Sequence, residues 1–345
     1  MFLTEQEIID TPQALRRTCR YFDEHRQDIR AFLSANPERK FTFFGCGSSY
    51  MLAKSAAVLF STLTDTSACA IAAGDYIVDP KTYRQTVAGS IVVSISRSGK
   101  TSEMVRAMQH IKQALGRPIV SVCMLKDNDI APCSALNITL DWCYDQSVCQ
   151  TRTVANLYAA LLLLAGEYSC DASLERSVQA VCRTGEIFQQ ENLPVLTGLA
   201  ARNWDNAVVL ADGIACGIAE EASLAFTEIA MLPGRYFHLL DYRHGPIVIS
   251  GEKTLTLILL RPAQLELQRA LVQDVLAHGG IVITASVHEG NPCGASAHIR
   301  LDVLENDAAQ ALPFLYLAQM LSLRKALSLG HNPDTPAGLD AYITL

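Results

Sequence analysis

The order of short apolar segments and helices constrains the fold of this chain most, because the chain runs through the same order twice. In each half, an apolar segment that ends in a glycine-containing turn leads into a helix, and strands and helices then alternate. The predicted strands lie at 41–44, 68–73, 90–96, 119–124 and 138–140, and again at 207–210, 255–260 and 281–286. Such alternation predicts a parallel sheet covered by helices on both faces. We therefore predict an α/β fold of two tandem, doubly wound parallel-sheet domains.

The domain boundaries follow from this duplication, since 345 residues exceed one domain of about 100–200 residues. We expect a helical segment at 1–34, a first α/β domain at 35–170, a helical linker at 171–200, and a second α/β domain with a C-terminal tail at 201–345. Thr4 with Glu7 predicts a capping box, and Ile247–Ile249 predicts a further strand. Ligands of doubly wound sheets bind beyond the carboxyl ends of the strands, where the strand order reverses.

Composition excludes several classes of protein. Half of the residues are hydrophobic and 18% are charged, which excludes a disordered or fibrous chain. The net charge of −7, without a run of lysine or arginine, argues against binding to nucleic acid or to an anionic membrane. The longest apolar helical stretch, Val154–Ala165, is twelve residues long, whereas a membrane span needs about 20. We therefore interpret it as a buried core helix.

The cellular location is predicted from the start of the sequence and from the cysteines. No basic region followed by an apolar one stands at the start, so no secretory signal is expected. The eleven cysteines are irregularly spaced without a Cys-x-x-Cys pair, as is typical of reduced thiols, and no Cys/His cluster has the spacing of a zinc site. We expect a cytoplasmic protein with no metal, no cofactor, no nucleic-acid partner and no membrane.

A loop rich in hydroxyl groups follows the predicted strand 90–96. It is Ser96-Arg97-Ser98-Gly99-Lys100-Thr101, and it leads into a helix. Its backbone N–H groups and hydroxyls can surround an oxyanion, and Gly99 permits close approach. The pattern G-x-x-x-x-G-K-[ST] of nucleotide-triphosphate loops is absent. We predict a site for one phosphate, with an ordinary helix-capping turn as the alternative. Ser48 and Ser49, which follow the first strand, favour the phosphate site.

Two acids and a histidine in the second half form a candidate acid–base group. Glu221 and Glu228 are seven positions apart, which places them two turns apart on one face of a helix with much apolar surface. A carboxylate beside apolar surface has a raised pKa, which suits a general acid or base near neutral pH. The alternative is that both acids are solvated. His244 follows in a turn, where a lone histidine is more often structural.

These segments occur in the order found in sugar isomerase (SIS) domain proteins. The resemblance is carried by Gly45-Cys46-Gly47-Ser48-Ser49, the loop 96–101, the helix from Glu221 to Glu228, Arg243-His244-Gly245-Pro246, and a tail-like segment at 332–339. The sequence most resembles the isomerase half of glucosamine-6-phosphate synthase and the tagatose-6-phosphate ketose/aldose isomerases. The resemblance extends from about residue 35 to the end and implies two flavodoxin-like SIS domains that share one sugar-phosphate site, in a homodimer.

The resemblance also implies roles for individual residues. Glu228 would carry a proton between C1 and C2 of the open-chain sugar, with Glu221 behind it. His244 would assist ring opening in the site of the neighbouring subunit. Val148 and Cys149 would line the sugar through their backbone groups. The sugar phosphate would be bound by residues of the first domain, namely Ser49, Ser96, Arg97, Ser98 and Thr101, and the position of Ser48 beside Ser49 makes it a further candidate for substrate binding.

The chain departs from the synthase pattern at two positions. Ala225 and Ala341 stand where the synthase has lysines, so ring opening and imine formation of the synthase type are not expected. There is also no room for a glutaminase domain before residue 35, so we expect no glutamine-dependent amide transfer. The leading hypothesis is an aldose–ketose isomerase that acts on a hexose 6-phosphate or an amino-sugar 6-phosphate, with or without loss of ammonia.

Two other functions remain open. One is a deglycase that cleaves a 6-phosphorylated fructosamine or glucosamine–amino acid adduct, because it would need the same base and the same phosphate site. The other is a non-catalytic sugar-phosphate sensor, as SIS domains form in transcription regulators. The leading 34 residues are too few and too acidic for a helix-turn-helix domain, which favours the enzymes.

Overall fold

A computed structural model describes residues 1–63 and 66–339, which divide into two compact units. The unit called N-terminal here comprises residues 10–183, and the unit called C-terminal comprises residues 1–9 together with 184–339. Ala341, which the resemblance places at the position of a synthase lysine, lies outside the described residues.

Up to residue 200 the chain forms helices and five strands in the described segments. In chain order these are α1 (Leu3–Ile9), α2 (Thr11–Ala35), β1 (Lys40–Gly45), α3 (Ser48–Leu63), β2 (Ser67–Ala72), α4 (Ala73–Val78), α5 (Arg84–Val87), β3 (Ile91–Ser96), α6 (Ser102–His110), β4 (Ile119–Cys123), β5 (Leu136–Thr139), α7 (Arg152–Ser169) and α8 (Ala172–Ala200). Every residue of β3 and β4 is buried, as expected of central strands with helices on both faces. α6 continues into a short π-helix at Ile111–Leu115.

The described part of the second half adds five more strands. The elements are β6 (Asn206–Leu210), α9 (Cys216–Glu228), β7 (Gly234–Phe237), β8 (Thr254–Leu259), α10 (Leu265–Ala277), β9 (Ile281–Ser286), β10 (Ala297–Arg300) and α11 (Ala311–Ser328). β8 and β9 are buried along their whole length, and β6 is buried from its second residue onward.

The two sheets have the same topology. The N-terminal unit orders its strands β2-β1-β3-β4-β5, and the C-terminal unit orders them β10-β9-β8-β6-β7. Counted from the first strand of each unit, both orders are 2-1-3-4-5, and all pairs are parallel. This is the flavodoxin-like doubly wound order. The predicted fold, two tandem α/β units of this kind, is confirmed.

Two local predictions are wrong and two edge strands were missed, each for a physical reason. Ile247–Ile249 is not a strand, because Pro246–Ile249 forms a 3-10 turn in the connection between β7 and β8. The edge strands β7 and β10 were not predicted, because half-exposed edge strands give only a weak apolar signal. Thr4 is no N-cap residue, because it lies inside α1.

The residue that caps α1 is distant in sequence. Asp334 accepts hydrogen bonds from Leu3 N at 2.9 Å and from Thr4 N at 2.8 Å, and the Thr4 hydroxyl donates to the same carboxylate. A carboxylate at a helix N-terminus stabilises the exposed N–H groups and the helix dipole. The start of the C-terminal unit is thereby fastened to its last described segment.

The apolar helix predicted at 154–165 lies in the core of the N-terminal unit. All residues of α7 from Thr153 to Ala165 are buried, which confirms the interpretation as a core helix. The Thr18 hydroxyl of α2 donates to Asn156 Oδ1 of α7 at 2.6 Å, so the polar group inside this apolar helix is satisfied. None of the helices within 1–63 and 66–339 has both the length and the apolar character needed to cross a bilayer.

Candidate active site

The predicted phosphate-binding segments lie at one edge of the N-terminal sheet. β1 and β3 are parallel neighbours, with Phe44 of β1 opposite Ser94 of β3. Ser48 and Ser49, which begin α3, and the loop after Ser96 therefore follow adjacent strand ends. This pair of strands is where the order of the sheet reverses, the position at which doubly wound folds bind ligands.

Two glycines shape the turn after β1. A Cβ atom on Gly45 would lie 2.3 Å from the Ser49 carbonyl carbon and 2.4 Å from Tyr50 N, so only glycine allows α3 to start this close to the strand. Gly47 has φ of 52°, in the left-handed region that favours glycine. The turn presents Ser48 and Ser49, both of which are largely buried.

The serine hydroxyls of the loop after β3 hold its shape. Ser96 Oγ accepts a hydrogen bond from Gly99 N at 2.9 Å, and Ser98 Oγ accepts one from Lys100 N at 3.1 Å. Each hydroxyl still carries an O–H that can donate to a ligand oxygen. Thr101 is the N-cap residue of α6, and its side chain makes no capping hydrogen bond. Thus three hydroxyls of the loop can serve a bound oxyanion.

The connection after β4 supports this loop. Gly99 has φ of 63°, and a Cβ atom there would lie 2.7 Å from Asn128 Cβ. Asn128 Oδ1 accepts from Ile130 N at 3.1 Å and from Ala131 N at 2.9 Å, while Asp129 N donates to Gly99 O at 3.1 Å. Sequence analysis missed Asn128, although an Asn/Asp-rich stretch directly after a buried strand is a known turn signal.

Arg97 connects the loop after β3 with the segment at 144–150. Its guanidinium is buried and donates from Nη1 to Val148 O at 3.1 Å and to Ser147 O at 3.3 Å. Cys149 is buried, and its carbonyl oxygen accepts from Ser147 Oγ at 2.9 Å. Three residues predicted for the sugar phosphate, Arg97, Val148 and Cys149, therefore belong to one hydrogen-bonded arrangement.

Asp145 anchors the same segment to α7. This buried carboxylate accepts from Thr151 N at 2.8 Å and from Thr153 N at 2.9 Å, and Arg152 Nε lies 3.4 Å away. Asp145 caps α7 although it lies six residues before the N-cap residue Thr151, so the sequence around the start of the helix contains no capping motif that predicts it. Sequence analysis missed this residue as well.

The two predicted acids lie on α9 of the C-terminal unit, which confirms the predicted helix. Glu221 is buried in the middle of α9, whereas Glu228 is its last residue and is half-buried. The turn that follows is tight, because a Cβ atom on Gly234 would lie 1.9 Å from Ser223 O. His331 Nδ1 lies 3.0 Å from Ala230 O and joins the C-terminal segment to this turn. Ala225, at the position of a synthase lysine, is buried in the same helix.

Glu228 lies at the opposite edge of its sheet from the strand ends where we expected ligands. α9 follows β6 and runs antiparallel to it, so its last residue lies beside the amino ends of the strands. Arg243 Nη2 lies 2.7 Å from Asp274 Oδ2, near the end of α10. Because α10 follows β8 and runs antiparallel to it, its end also lies beside the amino ends of the strands. His244 is therefore near this edge as well.

His244 is exposed in a sharp turn. Its N–H donates to Asp241 O at 2.9 Å at the end of a 3-10 turn, and Gly245 follows with φ of 123°. Across residues 1–63 and 66–339, the imidazole of His244 makes no hydrogen bond or ion pair. The ring is therefore available to a ligand or to another chain.

Comparison with known proteins identifies the fold and its relatives. Residues 36–165 match the model of the SIS domain. The D-galactosamine-6-phosphate deaminase AgaS of Escherichia coli is 25% identical over 354 residues, covering 97% of this chain and 91% of that protein. The glutamine–fructose-6-phosphate aminotransferase of Acidithiobacillus ferridurans is 25% identical over 79% of this chain, which spans 45% of that protein.

Solved structures agree over nearly the whole chain. A glucosamine-6-phosphate deaminase from Thermotoga maritima superimposes with a TM-score of 0.84 at 22% identity, covering 99% of this chain and 100% of that one. A tagatose-6-phosphate ketose/aldose isomerase from Escherichia coli superimposes with a TM-score of 0.82 at 21% identity, covering 98% and 96%. The resemblance predicted from the motifs is confirmed: residues 36–165 match the SIS domain, and the chain is similar over most of its length to a phosphosugar deaminase and to an aminotransferase that acts on a phosphosugar.

Proposed function

We propose that this protein is a phosphosugar isomerase that acts on a hexose 6-phosphate or an amino-sugar 6-phosphate, and that it releases ammonia when the substrate carries a 2-amino group. The hydroxyl-rich loop 96–101, at the point where the strand order reverses, is the observation that carries this proposal. The deaminase AgaS, which is similar over nearly the whole chain, supports the reaction class. A cytoplasmic location is part of the same proposal.

The N-terminal unit would bind the phosphate. Ser96, Ser98 and Thr101 donate their hydroxyl hydrogens to its oxygens, and Ser48 and Ser49 contribute from the turn after β1. Arg97 keeps Val148 and Cys149 in place for the sugar, because its hydrogen bonds to the 147–148 carbonyls join both loops. Hydrogen bonds from preorganised donors to a charged oxygen are stronger than those between neutral groups.

Glu228 would move the proton. Its carboxylate removes the proton from C2 of the open-chain aldose, which gives a cis-enediolate. The hydroxyl proton of O2 passes to O1, and the protonated Glu228 returns its proton to C1, which gives the ketose. With a 2-amino sugar the intermediate is an enolamine, and protonation at C1 leaves an imine at C2 that water hydrolyses to the ketone and ammonia. The half-buried position of Glu228 at a helix end supports this role, and Glu221, which is buried on the same helix, would lie behind it in the site.

We further propose a homodimer in which His244 assists ring opening in the neighbouring subunit's site. The exposure of His244 supports this, because its imidazole is accessible to a second copy of the chain. A histidine suits ring opening, which moves a proton from the anomeric hydroxyl to the ring oxygen near neutral pH.

Product analysis tests the reaction and separates it from the deglycase. We expect purified protein incubated with glucosamine 6-phosphate and galactosamine 6-phosphate to release ammonia together with a ketose 6-phosphate, measured by a coupled assay and by NMR. Release of free amino acid from fructosamine 6-phosphate adducts, without ammonia from amino sugars, would identify a deglycase instead. Binding of these compounds without any product would identify a sensor.

The phosphate role of the loop is tested at Thr101. Thr101→Val keeps the shape of the side chain and removes the hydroxyl, so KM is expected to rise about 10-fold or more with kcat nearly unchanged, because a hydrogen bond to a charged group contributes about 1.5–3 kcal/mol. The matched control is Thr139→Val, at the end of the edge strand β5. Equal KM values for the two variants would show that the Thr101 hydroxyl does not bind the phosphate.

A further inference from the structure

A cavity of about 250 Å³ lies at the carboxyl-end edge of the sheet in the C-terminal unit. It is lined by residues that follow β6, β8, β9 and β10 and by the segment 306–310. This is the point where the strand order of the C-terminal unit reverses, between β6 and β8. Its size is close to the lower end of small-molecule pockets, about 300 Å³.

The cavity is distinct from the proposed acid Glu228. Ala215, which lines the cavity, directly precedes α9, and Glu228 is the last of the thirteen residues of that helix. A rise of about 1.5 Å per residue separates the two ends of α9 by about 18 Å. The cavity therefore lies at one edge of the sheet and Glu228 at the other.

A buried glutamine that lines the cavity indicates that a ligand binds there. Gln310 is 6% exposed, and its Nε2 donates to Asp302 O at 2.5 Å. Its Oε1 is buried and accepts no hydrogen bond from any residue in the described part of the chain. A buried acceptor without a donor is costly, so a ligand that donates a hydrogen bond here gains affinity.

The charges around the cavity do not suit a phosphate. Counted from the strand ends, Leu259 and Arg261 stand where the loop after β3 has Ser96 and Ser98, so this loop lacks the hydroxyls. Asp212 and Asp307 also line the cavity, and their carboxylates oppose a dianion. The same carboxylates favour a ligand with an ammonium group.

Arg261 supplies a partner for a carboxylate. Its Nη1 lies 3.5 Å from Asp212 O, and a Cβ atom on Gly213 would lie 2.8 Å from that nitrogen, so the guanidinium extends across the turn after β6. Arginine binds carboxylates with two parallel hydrogen bonds. The rest of the lining is largely aliphatic, and it includes the side chains of Leu259, Leu260, Val287 and Leu301.

We propose that this cavity binds a small aliphatic α-amino acid, with Gln310 Oε1 accepting from its ammonium group, Arg261 pairing with its carboxylate and the aliphatic lining contacting its side chain. The site goes beyond the proposed isomerase reaction and does not depend on it.

Titration calorimetry with L-leucine and L-valine tests the proposal. Either amino acid is expected to bind, whereas 4-methylpentanoate, which lacks the ammonium group, and 3-methylbutylamine, which lacks the carboxylate, bind at least about 10-fold more weakly, because each loses a charged hydrogen bond. Glu228→Gln protein is expected to bind leucine unchanged, so failure of the isomerase proposal and failure of this one are distinguishable. Absence of binding at 10 mM leucine and valine, or displacement of the amino acid by glucose 6-phosphate, overturns it.

Variants locate the site. Arg261→Met is expected to weaken leucine binding at least about 10-fold, and Arg300→Met, another exposed arginine of the same unit, leaves it unchanged. Gln310→Met is expected to weaken binding similarly, and thermal unfolding verifies that this variant is folded. If Gln310→Met is unfolded, the effect of Arg261→Met on leucine binding tests the location of the site by itself. Leucine binding that Arg261→Met leaves unaltered overturns the assignment.

Discussion

Glu228→Gln is expected to lower kcat for aldose–ketose conversion about 10³-fold, while the dissociation constant of the substrate changes less than about threefold. Proton transfer by a positioned side chain contributes about 10²–10⁴-fold, and an amide cannot accept the proton from C2. The phosphate contacts come from other residues, so binding persists. The measurements are steady-state kinetics and calorimetric titration with the best hexose 6-phosphate.

A matched substitution separates this effect from a general loss of charge. Glu252 is exposed and lies two residues before β8, so it lies at the same edge of the C-terminal sheet as Glu228. Glu252→Gln is expected to retain full activity. Because Glu228 is half-buried at a helix end, its substitution should leave the unfolding temperature nearly unchanged. Full turnover by a folded Glu228→Gln protein would exclude this residue as the proton carrier.

Mixed dimers are expected to regain activity that neither parent has. A Glu228→Gln subunit paired with a His244→Ala subunit would contain one site with both groups intact, if His244 serves the neighbouring subunit. The purified mixed dimer should then show about half of the wild-type kcat, against losses of about 10³-fold and 10²-fold in the two homodimers. Differently tagged subunits, co-expressed and purified over both tags, allow this measurement.

The mixed dimer of Glu228→Gln with wild-type subunits is the control, since it should also retain about half of the activity. If His244 acts within its own subunit, both sites of the first mixed dimer are defective, and activity stays at the level of the homodimers. A protein that stays monomeric in solution at assay concentration would contradict the shared site directly.

The candidate site was predictable where local pattern determines it. The hydroxyls of Ser96, Ser98 and Thr101 follow a buried strand rich in β-branched residues and precede a helix. This arrangement can be predicted from one continuous segment of the sequence. Their supports were not predictable. Asn128 contacts Gly99 from 29 residues away, and Arg97 reaches the carbonyls 50 and 51 residues ahead. Contacts between residues so far apart in sequence depend on which strands become neighbours in the sheet, and no local sequence pattern predicts that.

Glu221 and Glu228 show the same difference between what a local pattern predicts and what packing decides. Helical periodicity placed Glu221 and Glu228 on one face of one helix, and both lie on α9. Their different exposures were not predictable from spacing, because burial depends on where α9 ends and on what packs against it. The edge of the sheet at which Glu228 lies was not anticipated either, since it follows from the antiparallel direction of the helix after β6.

Sequence alone determined the fold class, the duplication and the SIS resemblance, because strand and helix periodicity and glycine turns are properties of neighbouring residues. Tertiary structure decided which groups cap, support and surround the sites. The α1 cap is supplied across 330 residues by Asp334, and the edge strands β7 and β10 are specified by pairing rather than by hydrophobicity. The cavity with Gln310 exists only because four strand ends meet. Such groups are distant in sequence, and only the packed sheet brings them together.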